Sequence, residues 1–354
     1  MITLAAMLST ASSPSRAALP GRRAVLGAGA ALGLGLAGCA AGGGVAQAPN
    51  RPPARAGAID GVFVTRDGAH LPYRRWLPDG PPQGLMLALH GFNDSRDAWE
   101  IPGAAFAAAG YAVYAPDQRG FGDAPERGRW AGTATLAADA AAASWQVRAL
   151  HPGVPLVLIG ESMGAAVLMC LATGPLAPVD GRYVLVSPAV WGRATMNVFL
   201  RGSLWLGATL LPGLALSGAP VRVTASDNRA ALIRLSRDPL TIHETRLDTL
   251  RGLVDLMDAA LAAAARFAMP GLFLYGGHDE LVPKQAMAAM WQALPEDGRV
   301  DLAYYPDDYH LMLRDMRRAA PIGDVLSWLR VPAAPLPSGA EARAASWLRH
   351  REEA

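Results

Sequence analysis

Short apolar runs of strand length alternate along this chain with longer alanine-rich stretches. The runs at 85–89, 111–115, 154–159, 183–186, 272–275 and 300–305 hold few polar residues and show no polar face at every second position. A strand without a polar face is buried on both sides, which is the pattern of a mostly parallel sheet. Two earlier runs, 61–65 and 71–77, are separated by the turn signal Asp67-Gly68. Between the strands lie helix-like segments at 99–109, 133–150, 165–172, 250–267, 284–294 and 314–329. The alternation predicts an α/β fold: eight strands, right-handed crossovers, and helices on both faces of the sheet.

The alternation stops near Pro188 and resumes at about 248, which leaves 189–247 as an insertion over the sheet edge and makes 59–188 and 248–330 the core. Its first half is strongly apolar: Val198, Phe199, Leu200, Leu204, Trp205, Leu206, Leu210, Leu211, Leu214 and Leu216. Arg201 and Pro212 interrupt it, so it is not a membrane span. Most of these side chains are expected to pack the insertion against the sheet, and others to line a channel for an acyl chain. The tail, 331–354, begins rich in proline and alanine and ends with Trp347 and Leu348 among arginines. It reads either as a short amphipathic helix against the body or the membrane, or as a frayed end.

The first 38 residues have the form of an export signal. Arg22 and Arg23 precede an apolar run at 24–37 that is too short to cross a bilayer. The run ends Leu36, Ala37, Gly38, Cys39, which resembles the lipobox of bacterial lipoproteins. That resemblance implies cleavage before Cys39, a lipid on its sulfur, and a tether over 39–58 that is rich in Ala, Pro and Gly. The other reading is a chance cysteine after an ordinary signal. The arginine pair also resembles a twin-arginine signal, Met7 is an alternative start, and Ala40 favours outer-membrane sorting in a source with two membranes. The expected location is therefore the bacterial cell envelope, facing the periplasm, with the membrane as a partner.

Composition narrows the chemistry. The chain carries 32 basic and 30 acidic residues, and removing Arg16, Arg22 and Arg23 of the signal segment leaves 29 basic ones. No basic stripe remains, so nucleic acid is not an expected partner. Lipidation of Cys39 would leave Cys170 without a partner in the chain, a buried and inert thiol in the apolar stretch after 164. Neither a metal-ligand cluster nor a phosphate-binding glycine loop is visible, so no metal and no cofactor are expected.

The chemistry centres on Gly160, Glu161, Ser162, Met163 and Gly164, a G-x-S-x-G placed between a strand run and a helix run. This is the nucleophile elbow, a strand-to-helix turn so tight that only small residues fit two places either side of the serine. A serine hydroxyl needs a base, and an imidazole serves best when a carboxylate fixes its tautomer. In this architecture the chain order is Ser, then acid, then His. His310 follows the last strand run after a short loop, and Asp279 follows the strand run before it. His243, in the insertion, reads as a surface or packing residue, His278 sits too early for the base, and His350 belongs to the tail. Asp307 and Asp308 are too near His310 in sequence to face it. The oxyanion donors fall to the amides of Met163, just after the serine, and Phe92, in the loop His90-Gly91-Phe92-Asn93. His90 reads as a structural, hydrogen-bonded histidine.

His90-Gly91, the run Asp117 to Gly122 (D-Q-R-G-F-G), the elbow, the run Gly277 to Pro283 (G-H-D-E-L-V-P) and Tyr305 to His310 together resemble the α/β-hydrolase superfamily. More narrowly they are similar to its monoacylglycerol lipase and lysophospholipase branch, often labelled serine aminopeptidase-like. The resemblance spans about residues 60 to 330. It implies a helical lid or cap at 189–247, Ser162 as nucleophile, His310 as base, Asp279 as orienting acid, and the Phe92 and Met163 amides as oxyanion hole. The expected activity is hydrolysis of carboxylic esters, such as monoacylglycerols or lysophospholipid-like lipids, through an acyl-enzyme. Two alternatives stay open: an aminopeptidase or amidase using Glu161 or Glu244 for a substrate amine, and a ligand-binding lipoprotein without catalysis.

Overall fold

Strands whose residues are all apolar must bury both faces, and the structure, a computed structural model, resolves how. It describes residues 60–217, 223–332 and 334–352; the signal segment, Cys39 and the tether lie outside them. Eight strands form one sheet: β1 (Gly61–Val64), β2 (His70–Trp76), β3 (Gly84–Leu89), β4 (Tyr111–Pro116), β5 (Leu156–Glu161), β6 (Arg182–Val186), β9 (Gly271–Gly276) and β10 (Val300–Tyr305). Their order is β1-β2-β4-β3-β5-β6-β9-β10. The β1-β2 and β2-β4 pairs are antiparallel and the rest parallel. This is the α/β-hydrolase fold with the mostly parallel eight-stranded sheet that the alternation predicts.

The period of two assigns each strand residue to one of two cores. Leu85, Leu87 and Leu89 of β3 point to one face, where α2 (Thr133–Leu150), α3 (Met163–Ala172), α6 (Leu247–Ala264) and α7 (Lys284–Gln292) cover them. Met86 and Ala88 point to the other, under α1 (Glu100–Ala108) and α8 (Ala319–Arg330). Helix α3 is buried along nearly its whole length, consistent with its lack of a polar face.

Several boundaries differ from the pattern. A 3₁₀ turn, Arg96–Trp99, precedes α1, because Ser95 caps it by accepting from the Asp97 N–H at 3.2 Å. Strand β5 runs on to Glu161, and α6 starts at Leu247 rather than 250. The predicted helix over 314–329 begins only at Ala319. Its first residues are drawn inward instead, since Arg314 and Asp315 are buried, and Pro321 sits in the first turn, where a missing N–H costs nothing.

Between β6 and α6 the insertion carries α4 (Val198–Leu210), α5 (Arg229–Arg237) and a two-stranded ribbon of β7 (Ala215–Ser217) and β8 (Glu244–Arg246). The expectation that its apolar residues mostly pack inward is corrected here. Leu200, Leu204 and Ala208, on one face of α4, are buried, whereas Val198, Phe199, Trp205, Leu206, Leu210, Leu211 and Leu214 are exposed. One helical stripe suffices to hold α4 on α6, and the remaining apolar positions have no protein surface to meet.

The tail is a packed helix, α9 (Ala340–Glu352), laid along the edge strand β10. Trp347 stacks on Tyr304 at 5.1 Å and packs edge-on to Trp291 at 5.2 Å. A covered edge cannot recruit another strand. Trp347→Ala is expected to lower stability by about 2 kcal/mol, since the side chain is half-buried and loses its aromatic partners. Urea unfolding of the variant against wild type measures this.

Candidate active site

The elbow's two glycines are fixed by what surrounds them. A Cβ on Gly164 would lie 2.2 Å from the carbonyl oxygen of Leu89 at the end of β3, and one on Gly160 would lie 2.6 Å from the Ala165 nitrogen. Between them Ser162 adopts φ 55° and ψ −113°, a conformation that non-glycine residues rarely hold. Neighbouring backbone keeps it there: its N–H donates to Val186 at 2.9 Å, and its carbonyl accepts from Ala189 at 3.0 Å. The residue thus stands at the carboxyl end of β5, clamped against the end of β6. It is also the first flanking residue of α3, whose N-terminal dipole favours negative charge beside Met163.

Asp279 and His310 meet at the ends of β9 and β10. Nδ1 of His310 donates to Oδ2 of Asp279 at 2.7 Å, and both side chains are fully buried. Oδ1 of the same carboxylate accepts the N–H groups of Leu281 at 2.8 Å and Val282 at 2.9 Å. The acid is therefore held from both sides. With Nδ1 committed as donor, Nε2 carries the lone pair, and it is buried with no hydrogen bond among the described residues. The two loops come this close because a Cβ on Gly276 would sit 2.5 Å from the Asp308 carbonyl.

The loop after β3 passes beside Ser162: a Cβ on Gly91 would lie 3.5 Å from that of the serine. Nδ1 of His90 donates to the Gly91 carbonyl at 2.7 Å, and its Nε2 accepts from the Gln118 N–H at 3.0 Å. Burial, the largest influence, holds its pKa below the ordinary imidazole value, so it stays neutral. His90 is structural, as the sequence predicts. Because a trans peptide sets C=O and N–H antiparallel, anchoring the Gly91 carbonyl also fixes the direction of the Phe92 N–H. The Phe92 ring, buried, packs edge-on to Phe121 at 5.5 Å.

One residue that sequence reasoning missed joins these parts. Arg314, buried, donates to Asp94 at 2.9 Å and to Glu161 at 3.0 Å. It links the loop after β3, the elbow and the histidine loop in one ion-pair cluster. Burial alone would lower its pKa, but the two carboxylates more than offset this and the value is raised. The signal in the sequence is an Arg-Asp pair directly after the apolar run Leu311, Met312, Leu313. Glu161, one of the candidates for binding a substrate amine, is committed to Arg314, and Glu244 is exposed on β8.

The rival histidines fall away. His243, His278 and His350 are exposed, and His278 rests against Tyr309 at 5.1 Å. Asp307 pairs on the surface with Arg317 at 2.5 Å. Asp308 turns into the protein, and its Oδ2 has no hydrogen-bond partner among the described residues. Cys170 is half-buried rather than fully buried, because it lies on the rim of an apolar cavity beside Ala137 and Ala263; burial pushes its thiol up to about 11, and the inert state follows.

Arg314→Met should destabilise the protein by about 3–5 kcal/mol, because it leaves two buried carboxylates without their cation; thermal unfolding reads this. Asp308 yields a second test. Burial, then the charge of Asp315, raises it from 3.8 to about 7. A raised acid favours the folded state fully below 3.8 and loses that contribution as pH rises through 7. Asp308→Asn is therefore expected to be more stable than wild type above pH 7 and to lose this advantage toward pH 3.8, as unfolding midpoints across that range will register.

The chain is similar to known proteins over most of its length. The family model described as serine aminopeptidase, S33 (Hydrolase_4) matches residues 80–317. A monoacylglycerol lipase of Mycolicibacterium smegmatis is 26% identical over 279 residues, covering 75% of this chain and 95% of its own. A human monoglyceride lipase is 26% identical over 261 residues, covering 72% and 84%. Among solved structures, a soluble variant of the Saccharomyces cerevisiae monoglyceride lipase superposes with a TM-score of 0.66 at 18% identity, over 78% of this chain and 97% of that one. A carboxyl esterase of Bacillus coagulans gives 0.62 at 19% identity, over 76% and 96%. The matched span takes in the elbow, Asp279 and His310 and covers well over half of the sequence, and the chain belongs to the serine aminopeptidase S33 family of α/β-hydrolases.

Proposed function

We propose that the protein hydrolyses carboxylic esters of monoacyl lipids, monoacylglycerols or lysophospholipid-like, through an acyl-enzyme on Ser162. The observation that carries this reading is the buried Asp279–His310 pair, with Nε2 of the imidazole left as acceptor, tied through Arg314 and Glu161 to the elbow. In this reading Nε2 of His310 takes the proton of the Ser162 hydroxyl as its oxygen attacks the ester carbonyl. The N–H groups of Phe92 and Met163 receive the negative charge that develops on the carbonyl oxygen. His310 then protonates the leaving alcohol, and water activated by the same nitrogen releases the acid. Asp279 keeps the imidazole in the one tautomer that can do both.

Glu161 speaks against an aminopeptidase. Such an enzyme would need a carboxylate for the free amine of its substrate, and Arg314 already occupies this one. A lipid rather than a small ester fits the monoacylglycerol lipase relatives and the exposed apolar residues of α4 on an insertion acting as cap over 189–247. Cys39, outside the described residues, would supply the tether to the cell-envelope membrane.

Ser162→Ala is expected to lower hydrolysis of p-nitrophenyl butyrate by about 10⁴-fold or more and to abolish labelling by a fluorophosphonate probe. Mass spectrometry of a lipid extract treated with wild type and variant identifies the acyl substrate. Full activity without Ser162 would overturn the mechanism, and turnover confined to peptide amides would overturn the substrate class.

A further inference from the structure

Charge is segregated in this molecule. The insertion, 189–247, contains seven arginines against three acidic residues, a net +4. The remainder from residue 60 onward holds 20 basic and 27 acidic residues, a net −7. Between α4 and α6 the basic insertion opens a cavity of about 280 Å³. Arg201, Leu204 and Trp205 line it from α4, and Arg251, Val254 and Asp255 from α6, at the spacing that puts three residues on one helix face. Arg193 closes one end and is neutralised by Asp255 at 2.5 Å and by Asp258. Arg201 and Arg251 are exposed, and neither guanidinium makes a hydrogen bond or ion pair among the described residues.

We propose that this pocket takes the phosphate of an anionic phospholipid headgroup and so seats the insertion on a negatively charged bilayer. Two guanidiniums facing one cavity suit a phosphate, which can accept from both at once. The bilayer is favoured over a free phosphate by what surrounds the pocket. Trp205 is shared between the pocket wall and the exposed side of α4, where Phe199, 83% exposed, and Leu206 and Leu210 stand free to enter the acyl region. A basic pocket beside an apolar row, with tryptophan at the boundary, matches the layering of a membrane surface. The net −7 of the body opposes any other orientation on an anionic surface. The inference rests on the lipid-hydrolase reading above and adds which lipid holds the protein.

Hydrogen exchange of the full chain on vesicles tests it, comparing phosphatidylcholine alone with phosphatidylcholine plus a third of phosphatidylglycerol. Exchange over 198–210 is expected to slow about tenfold or more on the anionic vesicles relative to the neutral ones, an effect of about fivefold for each arginine. Arg201→Gln/Arg251→Gln should lose that difference while hydrolysing p-nitrophenyl butyrate at the wild-type rate, which reports an intact fold. Equal exchange on the two vesicles, or a double variant that keeps the difference, overturns the proposal. Inorganic phosphate that slows α4 exchange equally without vesicles, at matched ionic strength, assigns the pocket to a free anion and also overturns it. A chain that fails to associate with neutral vesicles refutes the Cys39 tether instead; flotation with anionic vesicles alone, lost in the double variant, then decides the pocket. Absence of ester turnover in wild type refutes the hydrolase reading separately.

Discussion

The contact on which the site depends is the one between the first turn of α3 and the end of β3, where Gly164 meets the Leu89 carbonyl. Any side chain there would push the helix away from the sheet, and Ser162 would relax out of its φ of 55°. A residue so placed costs on the order of 1–3 kcal/mol and persists only where the surroundings over-determine it. Here they do: backbone bonds to Val186 and Ala189 fix the serine, and α3 behind it is buried against both α2 and α6. The strain is thus held by a fully packed layer of the protein, which is what lets one hydroxyl stay at one place above the sheet.

The polar parts of the site are organised by a different rule. Arg314, Asp94 and Glu161 carry two negative charges and one positive, all taken out of water, and such clusters contribute little net stability compared with an apolar replacement of similar volume. What they contribute is position. The guanidinium fork fixes the separation of the elbow and the two loops that flank it, and no set of apolar contacts has that directional demand. Arg96, buried between Asp117 and Asp123, repeats the device one loop further out, and there the Asp117 carboxyl, desolvated more than its partners offset, rises to about 6.

Sequence periodicity made the sheet legible because each strand had to be apolar on both faces, a constraint with few other solutions. The elbow and the Asp279–His310 pair were legible for a related reason: their residue types are set by chemistry and their places by strand ends. Arg314 was hidden, since an arginine four residues past a histidine reads as the exposed start of a helix until its carboxylate partners, distant in sequence by 153 positions in the case of Glu161, are known. The exposure of α4 was hidden as well. Leu204 and Leu206 are the same residue type two positions apart, and only the tertiary position of α6 decides which is buried.

The insertion and the loop after β3 are not independent bodies. Asn93, next to Phe92, holds φ at 63°, its carbonyl accepts the Ile242 N–H at 2.9 Å, and its side-chain amide donates to the Thr245 hydroxyl at 2.6 Å. Arg127 adds bonds to the carbonyls of Pro239 at 2.8 Å and Thr241 at 3.2 Å. A left-handed residue anchored at both its carbonyl and its side chain has little freedom to turn without its neighbours. The peptide that carries the Phe92 N–H is therefore held at one end by His90 and at the other by the returning strand of the insertion. Whatever surface positions the insertion also bears, through Asn93, on the place where ester charge would develop.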